Sequence, residues 1–125
     1  MAKLRIVGHR ATTVRVKHTV TIELGAEFEL QIEGDLTLRT ADGAVLHATS
    51  DAYASLGSEL ETLVSAAVTR ADADEISGLT LEFDSGARLH VPVDQHYEAW
   101  GLVGPGGYRV ICMPGGEFAI WSARK

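Results

Sequence analysis

Apolar and polar residues alternate along much of the chain, most regularly at the even positions from Val14 to Leu24. These positions read Val, Val, His, Val, Ile and Leu, with threonine or charged residues between them. A strict period of two predicts one strand with one buried face. Phe28, Leu30 and Ile32 resume the alternation after a turn at Gly25-Ala26 and predict a second strand. Long alternation with one polar face favours antiparallel pairing.

A repeated segment follows, in which "DLTLRTADGAVLHA" (35–48) returns as "GLTLEFDSGARLHV" (78–91). Each copy holds two alternating runs around a short turn that ends in Gly-Ala. Ala41-Asp42-Gly43 and Asp84-Ser85-Gly86 suit three-residue hairpin loops with glycine in the left-handed conformation. The sequence therefore predicts two similar hairpins, at 36–48 and 79–91.

The loop length also predicts which residues face each other. In the second hairpin Thr80 lies opposite His90 and Glu82 opposite Arg88, on the polar face, and in the first Thr37 lies opposite His47. The repeated Leu-His is then an inward residue followed by an outward one. Whether the hairpins form one sheet or two layers stays open, as does the distance between His47 and His90. The residues predicted to be buried are Leu36, Leu38, Leu46, Ala48, Leu79, Leu81, Phe83, Ala87, Leu89 and Val91.

One principal helix is predicted near 51–63. Asp51 suits the N-cap, and Tyr53, Leu56, Leu60 and Leu63 keep helical spacing. Gly57 weakens the middle, and Ser58 to Glu61 offers an alternative capping box, so a broken helix or a later start stays open. The period of two returns from Val64 to Val68 and breaks at "RADADE" (70–75).

Three further strands are predicted near the C-terminus, joined by turns rich in glycine and proline. We therefore expect an α+β fold of strand-rich antiparallel sheet built of hairpins, in a single domain over 1–125. The three strands are "YEAWGLV" (97–103), "YRVICM" (108–113) and "EFAIW" (117–121).

Composition supports a globular protein, with 46% hydrophobic and 22% charged residues. The single cysteine, Cys112, excludes an intrachain disulfide framework and favours a reducing compartment. No apolar run approaches the roughly 20 residues of a membrane span, and the N-terminus lacks a secretory apolar region. We expect a soluble, cytoplasmic protein with no membrane partner.

The net charge of −6 is unevenly distributed. Five basic residues precede the first acid, Glu23, so the rest of the chain carries −11. An acidic body repels nucleic acid and attracts basic partners, chiefly by raising association rates. The alternative interpretation is that this charge only maintains solubility.

The candidate chemical groups do not assemble into a catalytic set. His47 and His90 are two ligands at most, fewer than zinc requires. His18 lies on the apolar phase, which predicts a hydrogen-bonded core histidine. Cys112 lies in an apolar strand that predicts an inert thiol. The glycine turns lack the Lys-Ser/Thr of a phosphate loop. We expect no enzyme activity, no metal and no cofactor.

Aromatic residues concentrate in the last third of the chain, where they either fill the core or anchor an interface. Together with the acidic second strand they mark the most promising partner-binding region. The candidate partner-binding residues are Glu27, Glu29, Glu33, Tyr97, Trp100, Tyr108 and Trp121.

The last third also resembles a family of small bacterial proteins of unknown function that is common in actinobacteria. The resemblance rests on Gly-Leu-x-Leu-x-Phe, a glycine turn and Leu-x-Val, then Tyr-Glu-Ala-Trp, a further glycine turn, and Pro-Gly-Gly before a terminal Trp. It implies no established activity or catalytic residue. The matching positions are Gly78, Leu79, Leu81, Phe83, Gly86, Leu89, Val91, Tyr97, Glu98, Trp100, Gly107, Pro114, Gly115, Gly116 and Trp121.

Three functional hypotheses follow. The first is a non-enzymatic interaction protein, of which an immunity-type inhibitor of a basic toxin domain is one version. That version rests on analogy of fold and charge with immunity proteins of bacterial toxin systems. The second is a small-ligand or metal-binding module around His47, His90 and Glu98. The third is a homodimer in which the basic N-terminal strand of one chain contacts the acidic surface of another.

Overall fold

The computed structural model describes residues 2–122, which form two six-stranded antiparallel sheets, one α-helix and three short 3-10 turns. The strands are β1 (Ala2–Lys3), β2 (Ala11–Val16), β3 (Val20–Leu24), β4 (Phe28–Ile32), β5 (Leu36–Arg39), β6 (Val45–Ala48), β7 (Val68–Asp74), β8 (Gly78–Phe83), β9 (Arg88–Val91), β10 (Trp100–Val103), β11 (Arg109–Cys112) and β12 (Phe118–Trp121). The helix is α1 (Gly57–Glu61), and the 3-10 turns are Tyr53–Leu56, Pro105–Gly107 and Pro114–Gly116.

The two sheets pack their apolar faces together. The first has the strand order β1-β7-β8-β9-β5-β6, and the second has the order β12-β11-β10-β4-β3-β2. Buried residues of both join one hydrophobic core. The α+β class and the strand-rich antiparallel architecture predicted from the sequence are confirmed. Within the described residues, no helix is long and apolar enough to cross a membrane.

Both predicted hairpins form with the predicted register. Thr80 pairs with His90, Glu82 with Arg88 and Thr37 with His47. The question of one sheet or two layers is settled by β5, which also pairs with β9 and places Thr37 opposite His90. The hairpins are therefore neighbours in the first sheet. Nine of the ten residues predicted to be buried are buried, and Leu46 is half-buried.

The single strand predicted over Val14–Leu24 is wrong, because the chain turns in the middle of it. Val16 pairs with Val20, and residues 17–19 form the loop between β2 and β3. A three-residue loop brings the next even residue back to the same face, so the period of two continues through the turn. His18 lies at the tip of this loop and is exposed, so its interpretation as a core histidine is also wrong.

The helical segment is shorter than the predicted 51–63 and has the later α-helical start that the sequence left open, at Gly57. A 3-10 turn precedes α1, and neither has a side-chain N-cap hydrogen bond. The carboxylate of Asp51 instead accepts a hydrogen bond from the Thr49 hydroxyl, so the N-cap prediction is wrong. Tyr53, Leu56 and Leu60 are nevertheless buried, because a 3-10 turn followed by a helix preserves an apolar face.

The predicted break at "RADADE" is also wrong, since these residues form most of β7. A bulge between Val68 and Arg70 shifts the alternation by one position. The inward residues beyond it are the small Ala71 and Ala73, which give a weak apolar signal. The three C-terminal strands are confirmed, although the first begins at Trp100 rather than at position 97.

Candidate protein-binding site

The outer face of the second sheet carries acidic side chains from β4 and from the residues that flank it. Phe28, Leu30 and Ile32 are buried in the core, so Glu29 and Gln31, which alternate with them, face outwards. Gly101 of β10 lies opposite Gln31 on one side and Ile111 of β11 on the other. The predicted second strand therefore supplies one wall of an outward-facing surface, and its neighbours β10 and β11 supply the rest.

A cleft of about 310 Å³ opens over Gly101. A Cβ atom on Gly101 would meet its nearest neighbour at 3.8 Å, which is ordinary contact, and its φ lies outside the left-handed region. The fold therefore does not require glycine at this position. Glycine inside a strand often marks a close approach by a ligand or another backbone. The residues around the cleft are Glu29, Gln31, Glu33, Glu98, Trp100, Val103, Arg109 and Ile111.

Two further depressions continue this cleft, and all three share Val103. One adds Glu23 and Glu27, and the other adds Trp121. We call this continuous surface the acidic groove and define it by Glu23, Glu27, Glu29, Glu33, Glu98, Val103, Arg109 and Trp121. The groove combines two exposed apolar side chains, Val103 and Trp121, with five glutamates, and Arg109 lies between Val103 and Trp121 in the strand register.

Only part of this acidic charge is neutralised by neighbours. Arg15 lies 2.9 Å from Glu23 and 3.5 Å from Glu29. Side-chain hydrogen bonds from Arg15 and, to a smaller extent, from Thr13 lower the pKa of Glu23 below its ordinary value. No basic side chain within residues 2–122 comes within 4.0 Å of Glu27, Glu33 or Glu98. The groove therefore presents uncompensated negative charge to solvent.

The four aromatic candidates divide into two exposed and two buried residues. Tyr97 is 71% exposed and Trp121 is 51% exposed, whereas Trp100 is 1% and Tyr108 is 7% exposed. The Tyr108 ring packs edge-on against Phe28, and Arg5 lies over its face. The indole nitrogen of Trp100 is buried without a hydrogen-bond partner among the described residues. Trp100 and Tyr108 therefore belong to the core, although they border the depressions, and Trp121 is the exposed aromatic side chain of the groove.

The histidine region lies on the other sheet, away from the groove. Thr37 Oγ1 is 2.8 Å from His47 Nδ1, and Thr80 Oγ1 is 3.1 Å from His90 Nδ1. Strand β5 separates the two histidines by two strand spacings, roughly 9.6 Å. Glu98 lines the acidic groove instead. The structure thus does not bring His47, His90 and Glu98 together, and residues 2–122 contain no group of three or more potential metal ligands.

Burial shifts the pKa of two of the groups that the sequence offered as candidate chemistry, Cys112 and His90. The pKa of the Cys112 thiol is raised, chiefly because the side chain is buried, which agrees with the predicted inert thiol. The pKa of His90 is lowered by burial and, to a smaller extent, by the charge of Arg88. Both shifts disfavour the charged form of the side chain.

The sequence did not identify Gly101, Val103 or Arg109 as residues of this surface. It also did not show that Glu98 lies beside β4. Gly101 offered a signal, because it interrupts an otherwise apolar strand segment without lying in a turn. The others required the strand order, because β10 and β4 are adjacent in space but far apart in sequence.

Comparison with known proteins gives a family but no function. No curated protein and no solved structure shows a significant match to the chain. A family model of unknown function matches residues 2–122, which is nearly the whole chain and extends well beyond the C-terminal third that carried the sequence resemblance. The chain is therefore a member of the family of unknown function DUF6188.

Proposed function

We propose that this protein is a non-enzymatic interaction module that binds a basic segment of another protein in the acidic groove. The observation that carries the proposal is that Glu27, Glu33 and Glu98 have no basic side chain within 4.0 Å among residues 2–122 and share the groove with exposed Val103 and Trp121. Protein interfaces commonly combine an apolar centre with a polar rim. Complementary charge at the rim then accelerates association and selects the partner.

An immunity-type inhibitor is the narrower version of this proposal, in which the basic segment belongs to a toxin domain. Support for it comes from the acidic charge and from the small strand-rich fold. A cytoplasmic location is part of this version, in keeping with the single reduced cysteine. The identity of the captured partner distinguishes the narrower version from the broader one.

Affinity capture from the native cell lysate tests the proposal. We expect the tagged protein to retain one stoichiometric partner at low salt and to release it at high salt, because salt screens exposed charges. The triple variant Glu27→Lys, Glu29→Lys, Glu33→Lys should lose this partner. Retention of the same partner by the triple variant would contradict the groove as the binding site.

A matched control separates local charge from net charge. The variant Glu59→Lys, Glu61→Lys, Glu75→Lys makes the same change in net charge on α1 and on the β7–β8 loop, away from the groove. It should capture the partner as well as the unmodified protein does. Equal loss in both triple variants would show that net charge alone governs binding.

A further inference from the structure

Each sheet has two edge strands, and within the described residues three of these four edges are protected. Strand β1 has only two residues. Strand β2 carries a bulge near Ala11 and exposed Arg15, and Ala11 exchanges backbone hydrogen bonds with Ser65 and Ala66. Strand β6 packs beside the first 3-10 turn and bears His47. Short, bulged or covered edges resist pairing with other chains.

The fourth edge, β12, lacks these protections. Its sequence Phe-Ala-Ile-Trp contains no charged residue and no proline. Ile120 is 55% exposed and Trp121 is 51% exposed. An exposed apolar edge strand is a template for pairing with another strand.

The hydrogen-bond pattern identifies which backbone groups are free on this edge. The Met113 N–H donates to the Glu117 carbonyl across the hairpin. Bonded and non-bonded pairs alternate in an antiparallel ladder, so the registered pairs Ile111–Ala119 and Arg109–Trp121 are the bonded ones. The backbone groups of Phe118 and Ile120 therefore point away from β11, towards solvent.

We propose that β12 pairs with β12 of a second copy of this chain, antiparallel and related by a two-fold axis. The register that overlaps the whole strand places Phe118 opposite the partner's Ile120 and Ala119 opposite the partner's Ala119. Each chain then supplies the free donors and acceptors of Phe118 and Ile120, which suits a self-complementary interface. The exposed Ile120 side chain becomes covered, and the two second sheets join into one.

Charge complementarity supports a second copy of this chain as the partner of β12. In the same register Trp121 lies opposite the partner's Glu117, on the outer face of the sheet. The Arg109 guanidinium lies over the Trp121 ring, 5.7 Å from its centre, and no carboxylate among residues 2–122 comes within 4.0 Å of it. Arg109 and the partner's Glu117 can therefore meet across the indole, twice in each dimer. This inference does not rest on the groove's proposed function, although both use Arg109 and Trp121.

Sedimentation or light scattering over about a hundred-fold range of protein concentration tests the pairing. We expect the mass to rise from 13.4 kDa towards twice that value as concentration increases. Ile120→Pro should weaken dimerisation at least about ten-fold, because it removes a donor that only the partner uses. A mass that stays monomeric throughout the range would overturn the proposal, and so would unchanged dimerisation of Ile120→Pro.

Two comparisons distinguish a specific loss of dimerisation from misfolding of the variants. Ile120→Pro should retain the thermal transition of the monomer, whereas Ala119→Pro removes the donor to Ile111 and should lower it markedly. Arg109→Glu and Glu117→Lys should each weaken the dimer, and the double variant Arg109→Glu, Glu117→Lys should restore it. Failure of the double variant to restore dimerisation would overturn the proposed register.

Discussion

Gly116 lies against Glu75, so that a Cβ atom on Gly116 would overlap the backbone carbonyl oxygen of Glu75. Gly116 follows β11 in the second sheet and Glu75 follows β7 in the first. Gly115 reinforces this contact, since its N–H donates to the carbonyl of Asp94 at 2.8 Å. The Pro-Gly-Gly turn therefore packs the second sheet against loops that follow strands of the first. Only a residue without a side chain allows this close contact at position 116.

We expect Gly116→Ala to destabilise the protein by at least about 3 kcal/mol, because it combines left-handed strain with overlap of backbone atoms. Gly115→Ala is the matched control. Gly115 also has a positive φ, but its Cβ direction is open, so the expected cost is about 1 kcal/mol. Urea unfolding measures both, and equal losses would contradict the role of the Glu75 contact.

Gly101→Val should separate stability from binding. The backbone at Gly101 suits any residue and the nearest atom to a new Cβ lies at 3.8 Å, so valine should raise the free energy of unfolding by about 0.5–1 kcal/mol. The same side chain fills the cleft over Gly101 and should abolish partner capture by the groove.

A suitable control for this variant is Gly57→Ala in α1. Its Cβ direction is open, and alanine at this first position of α1 should favour the helix by at most about 1 kcal/mol. This variant should gain comparable stability and retain the partner. Partner capture that survives Gly101→Val would contradict the cleft as part of the binding surface.

Tyr53 contributes a buried hydrogen bond whose loss should be measurable at neutral and at high pH. Its hydroxyl donates to the carbonyl of Gly34, where the chain passes from β4 to β5. Tyr53→Phe leaves that carbonyl without its partner and should cost about 1–2 kcal/mol at pH 7, measured by denaturant unfolding.

Burial, aided by the charges of Asp35 and Glu33, raises the pKa of Tyr53 to about 12 from its ordinary value of 10.0. The neutral form is thus favoured in the folded state. The contribution of the Tyr53 hydroxyl to the free energy of unfolding is fully present below pH 10 and is lost as the pH rises towards 12. Tyr53→Phe should lose less stability than the unmodified protein over this window, and an identical pH dependence of the two proteins would contradict the shift.

His90 should titrate below its ordinary pKa of 6.5, because burial and then Arg88 disfavour its protonated form. The contribution of His90 to stability is complete above pH 6.5 and is lost as pH falls through the folded-state pKa. Arg88→Gln should raise the pKa of His90 only partly, since burial remains. Proton NMR of the His90 ring measures this directly.

Arg70→Gln provides the comparison for that titration. Arg70 is held by Asp72 and Glu82 at 2.5 Å and 3.0 Å and is not among the causes of the His90 shift. Replacement of Arg70 should leave the direct effect of Arg88 on the pKa of His90 in place. An increase in the His90 pKa with Arg70→Gln that equals the increase with Arg88→Gln would contradict a specific effect of Arg88.

The predicted hairpins show where sequence patterns suffice. Phe83 and Ala87 flank a three-residue loop, and the loop length fixes every further pair because side chains alternate strictly along a strand. The register of Thr80 with His90 therefore followed from local information. The errors arose where local information is ambiguous. His18 kept the apolar phase because a three-residue turn preserves it. The strand β7 was missed because its inward residues beyond the bulge are only alanines, which alternate with the charged Asp72 and Asp74.

The sequence by itself determined the strand-rich antiparallel class, both repeated hairpins with their registers, and the run of glutamates in and beside β4. These features depend on alternation and turn length, which act between residues close in the chain. Only the tertiary structure decided that β5 joins β9, that Gly101 lies between Gln31 and Ile111, and that Trp100 is buried while Trp121 is exposed. Such relations depend on which distant strands share a sheet and on which side chains the opposite layer covers.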